Sequence, residues 1–251
     1  MKFSIIMTAS DRLNHLRNTL ESWSELTYPD HDFCLIDNAS KQEVGIYNLA
    51  VEFSTRINNF HFWRVNEPTN VNLIWNSAGK KSSGEYIVFA MQDEIISRKC
   101  ILEEMLNREA KVRFSVQNYF LSEDMTNKLP AGWERDATLI EEMDGFWDYA
   151  WDRVPNRRKT DAPNLAHVTG WTREGWDWFG WFRNQYRGYR WLDQDVVMRE
   201  NALGIRADTV FGISCYHQWH GDYGSSSAVN VPGYIYENER QARLLEEARH
   251  E

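Results

Sequence analysis

The 251-residue sequence holds only three cysteines, Cys34, Cys100 and Cys215. Odd in number and scattered, they form neither a disulfide framework nor a CxxC metal knuckle, and a reduced, cytoplasmic setting is the default. No apolar run approaches the roughly 20 residues of a membrane span, and "MKFSIIMTAS" turns polar too soon for a signal peptide. Positive charge is short: 28 Lys and Arg stand against 37 Asp and Glu, a net charge of -9. That balance disfavours a protein whose main task is gripping a polyanion. A glycine-rich phosphate loop is also missing, since neither GxGxxG nor GxxxxGKS/T follows the first apolar run. A nucleotide bound here would need another counter-charge for its phosphates. A divalent cation held by carboxylates is the obvious substitute.

Aromatic residues are plentiful. Of 12 tryptophans, eight lie between Trp133 and Trp191. They read as core packing or as a wall of rings for stacking a sugar or base. Along the chain, "FSIIM" (3–7), "FCLIDNAS" (33–40), "FHFWRV" (60–65) and "EYIVFAM" (85–91) read as strands. Between them, Leu13, Leu16, Leu20 and Trp23 recur at helical spacing behind Ser10 as N-cap. Helices are also expected over 42–53 and from Val71 into "NSAGKKSSG". Short strands that are apolar on both faces, alternating with helices, predict a mostly parallel α/β sheet covered on both sides. The second half predicts a strand over 111–120 and long loops with short helices over 122–163. A strand, turn and helix follow in 166–180, a helix begins near Asp193, a strand runs into a His-rich loop, and a helix starts at Glu237. No linker divides the chain. It reads as a single domain, with a nucleotide-binding half (1–96), an acceptor-side half (97–236) and a C-terminal helix (237–251).

In parallel sheets ligands bind at the carboxyl ends of the strands, and the polar residues gather there. Thr8, Ser10 and Asp11 follow the first strand, Asp37 and Asn38 the second, and Gln92, Asp93 and Glu94 the fourth. The stretch "YIVFAMQDEII" drives a core strand straight into two carboxylates. An unpaired buried carboxylate costs several kcal/mol or more, so water, a cationic side chain or a metal ion must meet that charge.

The order of these features resembles the GT-A-fold glycosyltransferases, most closely the inverting family 2. The resemblance rests on "SIIMTASDR", "LIDNAS", "NSAGKKSSGEYIVFAMQDEII", "VTGWTREGWDWFG" and "WLDQDVVMR", and it covers about residues 3 to 225. In that family the fourth strand ends in a DxD-like motif. Here the triplet is Met91-Gln92-Asp93, so its first acid is missing. The family's acidic motif opening a helix is matched by Asp193, Gln194, Asp195 and Arg199, with Leu192 where glutamate is frequent. A late His-containing loop is matched by His217 and His220.

The resemblance implies transfer of a sugar from a nucleotide sugar, a UDP-sugar first, to a hydroxyl-bearing acceptor, with inversion. It implies Mn²⁺ or Mg²⁺ on Asp93 with His217 or His220, and a general base from the pair Asp193 and Asp195. Thr8, Ser10, Asp11, Asp37, Asn76, Lys80 and Gln92 would line the donor site. Trp171, Trp191 and Arg199 would face the acceptor. Plainer roles stand beside these. Asp37 could cap a helix through Ser40. Asp93 could pair with Lys80 or Arg98, and Glu94 is expected to point away from the metal. Asp193 could be an N-cap, and the two histidines could be core residues. The cluster Arg153, Arg157, Arg158 and Lys159 is a solvated loop, a phosphate-gripping lid or a contact for an anionic acceptor. Two further readings stay open: a catalytically weak nucleotide- or carbohydrate-binding protein, and a glycosyltransferase acting on modified nucleic acid. A nucleotidyltransferase would need a glycine- and Arg/Lys-rich loop after the first strand, which "TASDRLNH" lacks.

Overall fold

The computed structural model describes residues 1–41, 45–106, 112–129, 168–183, 195, 196 and 199–220, leaving aside the side chains of 117–120 and 209–214. Among the described residues, eight strands form one sheet. They are β1 (Phe3–Ala9), β2 (His31–Asn38), β3 (Phe60–Val65), β4 (Tyr86–Met91), β5 (Glu94–Ile96), β6 (Val112–Phe120), β7 (Thr169–Thr172) and β8 (Arg206–His217). Their spatial order is β3-β2-β1-β4-β7-β6-β8-β5. The pairs β1–β2, β2–β3, β1–β4 and β6–β8 are parallel; β4–β7, β6–β7 and β5–β8 are antiparallel. The helices are α1 (Leu13–Trp23), α2 (Ile46–Phe53), α3 (Val71–Lys81), α4 (Ile101–Met105), α5 (Glu123–Lys128) and α6 (Arg173–Phe179). Residues 195, 196 and 199–203 are also helical. The tail from Glu237 and the cluster Arg153–Lys159 lie outside the described residues.

Alternation along the strands divides the core in two. Phe3, Ile5 and Met7 of β1, with Tyr86, Val88 and Ala90 of β4, pack against α1, α2 and α4. Ile6, Ile87, Phe89 and Met91 face the other way, onto α3, α6 and Val196. Helices therefore cover both faces, which is why these strands are apolar throughout. α2 begins at Ile46, and its N-cap Gly45 sits at φ 78°, a left-handed conformation that favours glycine.

α1 also starts later than its periodicity predicts. Arg12, not Ser10, is its N-cap, and no side chain caps it. Ser10 is held elsewhere: its N–H donates to Gln92 Oε1 (2.7 Å), and Gln92 Nε2 donates back to Ser10 O (2.9 Å). Asp11 follows at φ 59°. Its N–H donates to Ser40 Oγ (2.8 Å), and its Oδ1 accepts from Lys41 N (3.0 Å). A non-glycine residue persists in that conformation only where its surroundings hold it.

The link between β4 and β5 shapes the second half. Gln92 and Asp93 alone separate Met91 from Glu94, so those two Cα atoms lie no more than about 11 Å apart. Yet β4 and β5 are four places apart in the sheet, about 19 Å if it were flat. The sheet must therefore curl through β7, β6 and β8. Gln92 N–H still bonds back to Thr8 O of β1 (3.1 Å), and Asp93 O already accepts from Gln218 N at the end of β8 (3.0 Å). Asp93 sits at the point where the chain crosses over. This answers why two isoleucines follow the acids: Ile95 and Ile96 belong to β5 and are buried.

Candidate active site

Thr8, Asp37 and Asp93 stand at the same edge of the parallel half. β2 and β4 flank β1, which sets their ends about 10 Å apart. Asp93 is only 2% exposed. Arg12 Nη1 forms a close ion pair with its Oδ2, so the cation that meets it is neither Lys80 nor Arg98. Its other oxygen, Oδ1, is buried with no hydrogen-bond partner.

The curl brings the end of β8 onto this carboxylate. His220 Nε2 lies 3.5 Å from Asp93 Oδ2, His217 Nδ1 lies 3.8 Å from Oδ1, and the Nε2 atoms of the two histidines are 3.2 Å apart. One ligand atom from each of Asp93, His217 and His220 falls within 4.8 Å of the others. Glu94, at the start of β5, is fully buried. Its Oε1 accepts from His217 Nδ1 (2.7 Å), and its Oε2 accepts from Cys215 Sγ (3.1 Å). A carboxylate on Nδ1 fixes the proton there and leaves Nε2 of the neutral ring as the ligand atom, the usual arrangement behind a metal-binding histidine. Both Glu94 oxygens are engaged, and Glu94 is the residue that orients His217.

Burial pulls the pKa of His217 down, but the charge and hydrogen bond of Glu94 and the charge of Asp93 outweigh it and leave the value raised. Burial and the Arg12 charge lower that of His220. Burial, with Glu94 alongside, pushes the Cys215 thiol well above its ordinary value, so it is no nucleophile.

This donor set fits a divalent cation. A buried carboxylate oxygen lacks a partner, and two imidazole nitrogens face each other. Ligands at right angles around one ion, each about 2.1 Å away, sit about 3 Å from one another, close to the spacing of the two Nε2 atoms. The His loop is itself pinned. Gln218 Nε2 donates to His15 O and Thr19 Oγ1 of α1, Asn18 Nδ2 donates to Gln218 Oε1, and Trp219 N donates to Thr126 Oγ1 of α5.

Several expected contacts are engaged elsewhere. Asp37 is fully buried: Oδ1 accepts from Ser40 N (3.0 Å), and Oδ2 pairs with Arg64, its register partner on β3 (2.8 Å). It shapes the 38–41 turn instead of offering a free carboxylate. Thr8 is buried and donates to Met91 Sδ (3.4 Å). Gln92 clamps the Ser10 backbone. Asn76 exchanges hydrogen bonds with the N–H and C=O of Phe182 (3.0 and 2.7 Å). Lys80 sits in the last turn of α3, the end away from the rim, with its ammonium 5.0 Å over the Trp181 ring.

On the acceptor side, Trp171 has no exposed surface. Its ring lies against Phe89, Trp176, Phe179 and Phe182. Aromatic packing, not an acceptor, accounts for it. Arg199 is buried too. It bonds the carbonyls of Trp181 (2.8 Å) and Phe179, stacks over the Phe179 ring at 4.1 Å and pairs with Asp195 (3.5 Å). Asp195 takes Arg183 on its other oxygen (3.3 Å), so each of its oxygens meets a guanidinium group. Asp193 and Trp191 lie outside the described residues.

No protein-family model and no curated protein sequence matches this chain. Solved structures do. S. aureus TarS 1-349 in complex with UDP-GlcNAc matches at TM-score 0.68 and 14% identity, over 98% of this chain and 66% of that one. The fold is that of the GT-A glycosyltransferases. The mannosyltransferase PcManGT from Pyrobaculum calidifontis, in complex with GDP-Man and Mn²⁺, shares this GT-A fold at TM-score 0.59 and 13% identity, over 99% of this chain and 64% of that one. GalNAc-T7 with UDP, GalNAc and Mn²⁺ matches at 0.63 and 11%, over 92% and 46%. The chain thus spans just under two thirds of TarS 1-349 and under half of GalNAc-T7, and at these identities the likeness is one of fold. Among the described residues, no helix is long and apolar enough to cross a membrane.

Proposed function

We propose that the protein is a metal-dependent glycosyltransferase of the family 2 type. It moves a sugar from a nucleotide sugar, a UDP-sugar first, to an acceptor hydroxyl with inversion. The observation that carries this reading is Asp93, buried at the crossover with one oxygen unpartnered and two histidines opposite. Asp93, His217 and His220 would hold Mn²⁺ or Mg²⁺. Bound there, the ion would offset charge on the departing nucleoside diphosphate. Glu94 keeps the Nε2 lone pair of His217 directed into the site. The clamped 10–12 and 38–41 turns form the donor-side rim, where backbone groups, not the engaged side chains of Asp37 and Gln92, meet the nucleotide.

Asp193 is the proposed base. Its carboxylate takes the acceptor hydroxyl proton as the oxygen bonds to the anomeric carbon, and the sugar–phosphate bond breaks with its electron pair leaving on the nucleotide. Asp195, held by two arginines, serves to position this segment. The three cysteines, none of them in a disulfide, accord with the reducing cytoplasm proposed as its location.

The test is a thermal-shift panel of nucleoside diphosphates and nucleotide sugars with and without Mn²⁺. Metal-dependent stabilisation of about 3 kcal/mol is expected at a ligand concentration a hundred times Kd. Donor hydrolysis without acceptor should follow at a slow rate. Asp193→Asn should cut transfer at least about a hundredfold while donor binding stays within a few-fold. Donor binding with no turnover in the parent protein would point instead to a binding protein, the reading that Met91 in place of an acid favours.

A further inference from the structure

Arg12 occupies the same carboxylate that a metal would need. Its guanidinium is the charge partner of Asp93 Oδ2. Its backbone is fixed by the Gln92 clamp on Ser10 and by the Ser40 and Lys41 contacts of Asp11. Its side chain, however, is 33% exposed. A rooted Cα with a long, partly solvated stem gives a cation that can change partners without moving the loop.

The charge count makes this matter. With Met91 where the resembled family has an acid, Asp93 is the carboxylate at the proposed ligand position, and Arg12 already pairs with it; the negative charge of Glu94 stands behind His217 and is engaged by His217 and Cys215. A dication entering there meets the like charge of Arg12 a few ångströms away, which weakens its attraction to Asp93. A nucleoside diphosphate changes the balance, because it brings negative charge for the ion and an alternative partner for the guanidinium. Arginine suits phosphate oxygens through paired N–H donors. The uncapped first turn of α1, which Arg12 opens, presents backbone N–H groups at the same rim.

We propose that Arg12 and the divalent ion compete for Asp93, and that Arg12 passes to a phosphate of the donor as the ion takes the carboxylate. This rests on the metal-dependent reading above and adds a residue that couples metal to nucleotide. Arg12 makes ion and nucleotide bind together: each is weak alone, and each strengthens the other by the same factor.

The experiment is a binding cycle that needs no turnover. Free Mn²⁺ is read by electron paramagnetic resonance, with and without UDP or GDP, for the parent protein, Arg12→Gln and Arg12→Lys. Nucleotide affinity is read by calorimetry with and without Mn²⁺, and circular dichroism melts check the fold. Arg12→Gln should bind Mn²⁺ alone at least about tenfold more tightly, and the factor by which nucleotide strengthens Mn²⁺ binding should fall at least about tenfold. Arg12→Lys, which keeps the charge but not the paired donors, should bind Mn²⁺ alone as weakly as the parent and keep only part of the coupling. Mn²⁺ binding no tighter in Arg12→Gln, or an unchanged coupling factor, overturns the proposal. The parent alone tests the underlying reading. If it binds nucleotide in Mn²⁺, that reading stands whatever Arg12→Gln does; if it binds neither, the reading fails and the Arg12 proposal with it.

Discussion

Asp93 and Asp195 are both buried carboxylates met by arginine, yet they are left in opposite conditions. Asp195 has a guanidinium on each oxygen, Arg183 and Arg199, and Arg199 also binds two carbonyls. Asp93 has one guanidinium on one oxygen and no hydrogen bond on the other, which His217 approaches at 3.8 Å. The saturated acid ties segment 179–183 to the helical turns behind it. The unsaturated one faces histidines at a strand end. Asp37, closed off by Ser40 and Arg64, belongs with Asp195. Burial alone therefore does not separate these acids; the number of hydrogen-bond partners left over does.

The largest expected effect tests that contrast directly. Asp93→Asn should weaken Mn²⁺-dependent nucleotide binding at least about a hundredfold by calorimetry, since a ligand counts for at least as much as the groups behind it. The stability of the free protein should change by less than about 1 kcal/mol, because the released Arg12 side chain reaches water. Asp195→Asn should do the reverse. It leaves two guanidinium groups, one of them buried, facing a neutral partner, at a cost of about 3 kcal/mol in urea unfolding, with nucleotide binding within a few-fold. If Asp195→Asn proves neutral to stability while abolishing transfer, Asp195 and not Asp193 is the base.

Glu94→Gln comes next. Losing the carboxylate behind His217 should lower Mn²⁺ affinity by about 10- to 100-fold; an unchanged affinity would remove His217 from the site. The smallest effect is a surface control, the pair Arg17–Glu52 between α1 and α2. The hydrogen bond from Arg17 holds the Glu52 pKa below its ordinary 4.5. A carboxylate with a depressed folded-state pKa contributes stability that is present above the unfolded value and lost as pH falls through the folded one. Glu52→Gln should therefore cost less than about 1 kcal/mol at pH 7, with the difference shrinking as pH drops below 4.5. A larger cost would mean that exposed ion pairs in this protein cannot serve as the baseline for the buried ones.

The parallel half was legible because its strands are apolar on both faces and end in acids and amides, a pattern carried by neighbours in sequence. β5 was not: three residues beginning with glutamate form a strand only because β8, some 120 positions later, supplies the partner. The start of α1 was misplaced for a related reason, since Gln92 takes Ser10 from a distance. Trp171 looked available because aromatic content says nothing about which rings meet one another. Lys80 could have been excluded by topology, because α3 begins at the rim and carries its last turn away from it. Asp93, His217 and His220 were singled out by the order of motifs, and the fold brings one ligand atom of each within 4.8 Å of the others. Arg12 went unremarked beside them, and only the fold sets its guanidinium against Asp93.

The Gln92 clamp limits how this site can evolve. The amide meets the Ser10 backbone with a donor and an acceptor at once. A carboxylate in its place would set oxygen against the Ser10 carbonyl and release the loop that roots Arg12. Position 92 is thereby closed to a second acid. Position 91 is restricted too: Met91 is buried in the apolar cluster over α3, with its sulfur accepting from the Thr8 hydroxyl, and a carboxylate there would need a cationic partner. A second acid for the proposed metal site would therefore have to come from outside residues 91 and 92.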